Sequence, residues 1–420
     1  MLIAMKTDQL HACRKRLEAF LEDLFAPLGR RERRYWGGVY VRGLLLDGER
    51  KSIEPLARRV PDGNVQALQQ FIGQSPWEYA PLRRQLSEKA AREISPRPVW
   101  ILDDTGFPKK GEHSVGVGRQ YSGSLGGVGN CQVAVSLHLG VDQSCIPLNF
   151  SLYLPSDWTD NPERLARAGV AKGTTFQTKF ELALGLIDEA LTWDIPRGVV
   201  LCDSFYGKSQ EIRNGLIERG LEYVAEISSR NSVLASAPGP DHRLGRPPVN
   251  PTRLPVKEMA KTLPAWRWKS ICWREGTRKR LASRFTAIRV DLGVSHRRGA
   301  IPQPRQWLLI EWPRKEPEPT KFWLSNLPPQ TGLSRLVYLA KARWLIERSY
   351  QEMKEELGLD HYEGRGFLGW HHHVTMVMVA YAFLLLEKLR CKKNTCRHSA
   401  GDSEDDPGAD RRLGWTLSDL

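Results

Sequence analysis

Apolar positions along the chain change their period, and each change marks an expected element. From residue 10 to 95 they recur every three or four residues, as at Leu17, Phe20, Leu21 and Leu24, which places them on one stripe of a helix. Residues 52–60 and 64–71 form shorter amphipathic segments of the same kind. After Pro98 the pattern switches: 99–102 is a short apolar run, 132–140 alternates through Val133, Val135, Leu137 and Leu139, and 146–154 adds another strand. The Gly-rich stretch 123–130 between them has the composition of a turn, so these strands are expected to be antiparallel and joined by hairpins. A helix over 178–193, a strand over 199–203, a helix over 208–219 and a strand over 222–227 follow. That alternation predicts an α/β fold, a mixed sheet covered by helices.

Residues 228–320 interrupt the rhythm with Pro, Gly, clustered Arg and five tryptophans, Trp266, Trp268, Trp273, Trp307 and Trp312. Short strands at 284–290 and 307–312 make this block a β-rich insertion. The sheet resumes at 322–327, followed by a long helix over 334–357 and a second over 370–389. The end is rich in Gly, Ser and Asp. The expected layout is a helical N-terminal region at 1–95, a first sheet part at 96–227, the insertion at 228–320, a second part at 321–396 and a disordered tail at 397–420.

Composition narrows the function. The 420 residues are 41% apolar and 26% charged, ordinary for a globular protein, but 62 Lys and Arg against 48 Asp and Glu leave a net charge of +14. The excess is uneven: +5 in 1–95, −4 in 96–227, +12 in 228–320, +5 in 321–398 and −4 in 399–420. A basic block of that strength points to a polyanionic partner. The 7 cysteines are scattered, with no C-x-x-C pair, so neither a disulfide framework nor a zinc site is encoded and a reducing cytoplasm is the expected compartment. The longest apolar stretch, 374–386, is too short to cross a bilayer, and no membrane partner is expected.

Three acids stand at positions that chemistry uses. Asp104 closes the first core strand, Asp203 closes a later apolar strand, and Glu347 lies within the long helix. Ligands of open α/β sheets gather outside the carboxyl ends of strands, and carboxylates brought together there repel unless a hard cation lies between them. Asp after a strand is also an ordinary turn or capping residue. On the helix, Arg343, Glu347, Tyr350 and Lys354 fall at i, i+4, i+7 and i+11, one stripe, where a salt-bridged surface ladder is the plain alternative.

The spacing Arg343-x3-Glu347-x6-Lys354 resembles the Tyr-x2-Arg-x3-Glu-x6-Lys signature of bacterial insertion-sequence transposases of the DDE class, which have an RNase H-like catalytic core. The segments running from Asp103-Asp104-Thr105-Gly106 through Phe107-Pro108-Lys109-Lys110-Gly111, and from Lys354 to Asp360, are similar to that group as well. The resemblance covers roughly 96–390. It implies an RNase H-like mixed sheet with an inserted β-rich domain, and two Mg²⁺ or Mn²⁺ ions held by Asp104, Asp203 and Glu347. Asp104 is favoured as the first acid because it stands directly before Thr105, and the adjacent Asp103 is the alternative. The signature Tyr falls at Ala340, which leaves its phosphate contact to Tyr338 or Tyr350.

The activity so implied is metal-dependent cleavage at inverted-repeat ends of an element, followed by joining of its 3′ ends to target DNA. Double-stranded DNA is the partner, a homodimer is the synaptic form, and the location is cytoplasmic at the nucleoid. A catalytically silent DNA-binding regulator and a nuclease without strand transfer are the alternatives. Arg343 and Lys354 would hold phosphate, Arg in bidentate fashion and Lys as a point charge. Arg278, Lys279 and Arg280, with Arg297-Arg298 and Arg314-Lys315, would neutralise the DNA backbone. Trp266 and Trp268 are the better candidates for base stacking, although a Trp in a β module is more often core. The run His371-His372-His373 is expected near solvent or DNA at a helix start, since consecutive helical residues diverge and do not share a metal.

Overall fold

The protein is mixed α/β. The structure, a computed structural model, describes residues 7–93, 98–141, 144–234, 253–275, 280–292 and 305–399. Helices α1 (Thr7–Leu24), α2 (Arg31–Leu45), α3 (Ile53–Arg59), α4 (Val65–Gly73) and α5 (Tyr79–Glu93) come first. The predicted stripe Leu17, Phe20, Leu21 and Leu24 is buried, and the Asn64 side chain caps α4 by accepting from Ala67 N. Then follow β1 (Val99–Pro108), β2 (Gly118–Ser122), β3 (Gly127–Val141), β4 (Ser144–Leu152), and helices α6 (Ser156–Thr159), α7 (Pro162–Arg167) and α8 (Lys179–Thr192). The next stretch holds β5 (Val199–Cys202), α9 (Ser204–Gly207), α10 (Gln210–Glu218), β6 (Tyr223–Ile227), β7 (Ser232–Leu234), β8 (Arg253–Pro255) and α11 (Val256–Lys261). Strands β9 (Lys269–Glu275), β10 (Arg280–Val290), β11 (Gln306–Glu311) and β12 (Lys321–Ser325) precede α12 (Leu333–Ala342), α13 (Trp344–Glu355) and α14 (Phe367–Ser399).

These elements divide into two units, one drawn from Met1–Pro98, Asp104–Pro196 and Leu345–Leu420, the other from Val99–Asp103 and Arg197–Trp344. Strand β1 contributes its first half to the second unit and its second half to the first.

In the first unit β3 pairs antiparallel with β2 and β4, as the hairpin pattern predicts. Helix α14 packs against α2, α4, α5 and β4. It is apolar nearly all round from Trp370 to Phe383, as a helix buried on every side must be. One buried charge inside this core is held by several acceptors. Arg83 of α5, 1% exposed, donates to Asn149 Oδ1 at 2.9 Å, Phe150 O at 2.7 Å, Thr375 Oγ1 at 2.8 Å and His371 O at 3.1 Å. One guanidinium thereby ties α5, β4 and α14 together.

The three consecutive histidines differ from expectation, because they are buried rather than facing solvent or DNA. His371 stacks on Tyr79, His372 stacks on Trp77 and bonds Ile72 O and Trp77 O, and His373 bonds Tyr40 Oη and Gly358 O. Their divergence round the helix lets each reach a different element.

In the second unit β1, β5 and β6 are parallel, in register at Leu102↔Cys202 and Cys202↔Ala225. Strand β12 joins β6 antiparallel, and β11, β10 and β9 continue outward in antiparallel order. The predicted insertion is β-rich, but β9, β10 and β11 extend the sheet through β12 instead of closing on themselves. Helix α12 packs on this sheet, where Lys341 pairs with Glu311 Oε2 at 2.6 Å and its ammonium lies 4.5 Å from the Trp273 ring centroid and 5.4 Å from that of Trp323.

The predicted helix over 334–357 is two helices, interrupted at Arg343. Helix α14 also outruns its predicted end and reaches Ser399, and the remainder of the expected tail, 400–420, lies outside the described residues. No helix among the described residues is long and apolar enough to cross a membrane.

Candidate active site

In the second unit, the side chains of interest lie where the parallel pairing of β1 with β5 stops; β1 itself runs on to Pro108, so Asp103 and Asp104 lie within the strand and Asp104 does not close it as the sequence suggested. Leu102 and Cys202 are partners in register, so Asp103 and Asp203 each stand one residue further along adjacent parallel strands and lie on the same face of the sheet. Asp203 is also the N-cap of α9, its Oδ1 accepting from Phe205 N at 3.0 Å and Tyr206 N at 3.2 Å. The capping role and a site role therefore coexist in one residue. The turn after it is close-packed: a Cβ on Gly207 would lie 2.0 Å from Glu226 O, so only glycine fits there. Asp103, 8% exposed, is paired with Arg343, whose guanidinium reaches its Oδ2 at 2.7 Å. The Cys202 thiol senses this charge. Burial first, then the Asp203 carboxylate, push its pKa up, and Arg213 pulls it down.

In the first unit, Asp104 is ion-paired with Lys179, the first residue of α8. Lys179 was not singled out by the sequence. The capping box of Thr178 and Glu181 that positions it is a legible signature of a helix start, but nothing local reveals a partner 75 residues away. Glu347 lies in the first turn of α13, exposed, where the helix dipole favours an anion. Lys354, near the other end of α13, donates to Gly106 O at 2.7 Å and lies 5.7 Å from the Phe107 ring centroid. Burial lowers its pKa, and Asp360 opposes that shift.

Tyr350 is no phosphate ligand, because it is 7% exposed and its hydroxyl is 2.6 Å from Ser136 Oγ inside the core. Tyr338, in the second unit, is 42% exposed. Arg280 begins β10 and is exposed, whereas Arg278, Lys279, Arg297 and Arg298 lie outside the described residues. Trp266 is 74% exposed, but Trp268 is half-buried with its ring edge-on to Trp312 at 5.3 Å. Among the described residues no group of three or more His, Cys, Asp or Glu is gathered closely enough to hold a metal ion.

A family model described as DDE superfamily endonuclease matches residues 23–280. The chain belongs to this family. The match takes in Asp103, Asp104 and Asp203 and stops before Glu347. A curated relative, the probable transposase for insertion sequence element IS701 of Microchaete diplosiphon, is 33% identical over 193 residues, 46% of this chain. That similarity spans about half the relative's own length, 48%. A cryo-EM structure of a piggyBac transposase synaptic complex with hairpin DNA is 11% identical, with a TM-score of 0.35 over 94% of this chain and 84% of that one. At that score the likeness carries no argument about this DDE endonuclease family member.

Proposed function

We propose that this chain is a cut-and-paste DNA transposase with an RNase H-like core, which binds the inverted-repeat ends of its element, cleaves there and joins the 3′ ends to target DNA. The observation that carries the reading is the in-register pairing of β1 and β5 up to Leu102↔Cys202, which sets Asp103 and Asp203 side by side just past the last parallel pair, in a DDE endonuclease family member.

Of the two adjacent acids, Asp103 is the one we assign. Side chains alternate along β1, so Asp103 and not Asp104 shares the sheet face of Asp203, and there Arg343 pairs with it. Asp104 has the opposite parity and is engaged by Lys179 of α8. On this reading Asp104 is a positioning residue, and the sequence preference for it is reversed.

The donor chemistry fits a hard divalent cation, since every candidate ligand is a carboxylate oxygen. Asp103, Asp203 and Glu347 would hold Mg²⁺ or Mn²⁺, two ions by the family resemblance, which when bound activate a water or a 3′-hydroxyl and stabilise charge at the phosphate. Arg343 neutralises Asp103 and offers its planar fork to a phosphate, while Lys354 adds a point charge two turns along from Glu347. A second copy would complete the synaptic pair of DNA ends.

The test uses purified protein, Mg²⁺ and duplexes copied from the DNA bordering the gene. Wild type nicks them and transfers a 3′ end, while Asp103→Asn, Asp203→Asn and Glu347→Gln bind but do not cut. Asp104→Asn retains cleavage. Full activity of Asp103→Asn with loss in Asp104→Asn would reverse the assignment. Binding without cutting by wild type would mean a silent regulator, and nicking without joining a nuclease.

A further inference from the structure

The β2–β3 hairpin carries a surface that nothing in the proposed chemistry uses. Among the described residues eight large apolar side chains are exposed, and three of them, Tyr121 at 68%, Leu125 at 40% and Val128 at 62%, lie within this one hairpin. Tyr121 and Val128 are partners in register, so they stand on the same face, and Arg119 joins them two residues away. Leu125 lies at the turn, next to Gly129. Isolated exposed apolar residues are ordinary, but three on one projecting tip form a patch with a direction.

Charge and backbone say what the patch suits. From His113 to Val141 the sequence has no Asp or Glu, although the chain averages more than one in ten. Four glycines, 123, 126, 127 and 129, leave the tip narrow and its backbone approachable. An acid-free, glycine-rich tip with an apolar crest is suited to the sugars and base edges of a groove flanked by phosphates. Apolar wedges of this kind enter the minor groove and part base steps.

The hairpin's root lies among charges of its own unit. Cys131, which pairs with Gly118 at its base, lies within electrostatic reach of Lys179, Asp104 and Lys354. The Tyr121–Val128 pair is three residue pairs further out. At roughly 3.3 Å per residue the crest stands about 10 Å beyond that root.

We propose that the β2–β3 tip is a DNA wedge, in which Tyr121, Leu125 and Val128 press into the minor groove and unstack a base step. This rests on the proposed function for the DNA that the tip would enter. The partner is duplex DNA, with Arg119 on the adjoining backbone.

The experiment places 2-aminopurine singly at successive positions of duplexes copied from the DNA bordering the gene, and reads fluorescence and cutting with full-length protein. Wild type and Asp203→Asn both raise the signal at one discrete step, and Asp203→Asn does so without cutting. The variant Tyr121→Ser/Leu125→Ser/Val128→Ser loses the rise and weakens binding by roughly ten-fold or more, the scale of one lost stacking contact. Its unchanged melting temperature shows that it folds, and Tyr121→Phe alone retains the signal. Cutting by wild type with no fluorescent step overturns the wedge and leaves the function standing. A fluorescent step with no cutting leaves the wedge and overturns the function. A triple variant that keeps the signal but sediments as a smaller species would make the patch an interface between copies, and would also overturn the wedge.

Discussion

Arg83 and Asp103 are both buried charges, and they illustrate opposite uses of one. Arg83 makes hydrogen bonds to fixed core acceptors on two elements, β4 and α14, with burial lowering its pKa to about 10. Replacing it with Met leaves Asn149 Oδ1, Phe150 O and Thr375 Oγ1 to find other partners in a dry interior. We expect Arg83→Met to lower unfolding free energy by about 3–5 kcal/mol, as for loss of one partner in a buried ionic cluster. Urea unfolding followed by circular dichroism reads this directly, and a loss under about 1 kcal/mol would show the contacts to be incidental. Asp103 instead pairs with Arg343, at the point where the parallel pairing of β1 with β5 stops and a charge has chemistry to do. The acids at 103, 104, 203 and 347 were all visible in the sequence. The sequence favoured Asp104 for its place directly before Thr105, with Asp103 as the alternative, and our proposal prefers Asp103 because adjacent residues of a strand present opposite faces, which the sequence alone does not assign to a partner. Lys179 was invisible for the same reason, since its meaning lies wholly in a contact made across the fold.

At the level of elements, the hydrophobic period located the helices and strands well, and it failed where an end is set by something other than period. The 3.6-residue pattern runs unbroken through Arg343, so one helix was expected where α12 and α13 are separate. The three histidines misled for a related reason: polar residues at a helix start suggest solvent, yet α14 begins inside the core. That burial has a measurable consequence. It lowers His372 and His373 to about 4 and His371 well below its ordinary value. Each is neutral in the fold but takes up a proton on unfolding below about pH 6.5, so the unfolded state binds more protons and stability falls as pH drops from about 6.5 toward 4. Three such groups give a slope approaching 4 kcal/mol per pH unit, about 1.4 for each proton. Melting temperatures at pH 7, 6 and 5 should fall in step, and His372→Asn should flatten the dependence even if it lowers stability throughout. A melting temperature unchanged between pH 7 and 5 would mean the histidines are charged or accessible in the fold.

Across the whole molecule, the net charge of +14 is a sum of unlike parts. The block 228–320 carries +12, and 96–227, which holds Asp103, Asp104 and Asp203, carries −4. On the proposed function, such a distribution would separate gripping from cutting: the basic strands would neutralise phosphates, while the acids would remain available to a cation. In the structure these basic strands are not a detached module, since β9, β10 and β11 run on from β12 in one sheet of the second unit. A backbone grip of this kind releases counterions, so the logarithm of the DNA association constant should fall linearly with the logarithm of salt concentration, with a slope near −0.9 for each phosphate neutralised. Neutralising Arg278, Lys279 and Arg280 together to Gln should therefore make that slope shallower by about 2–3, and should weaken binding to element ends and to unrelated duplex alike. Asp203→Asn, by contrast, should leave the slope unchanged or slightly steeper, because it removes a negative charge from the surface that DNA approaches. Fluorescence anisotropy over a salt series separates these outcomes. If the triple substitution leaves the slope unaltered while lowering affinity only for element ends, those three cations read bases rather than hold the backbone.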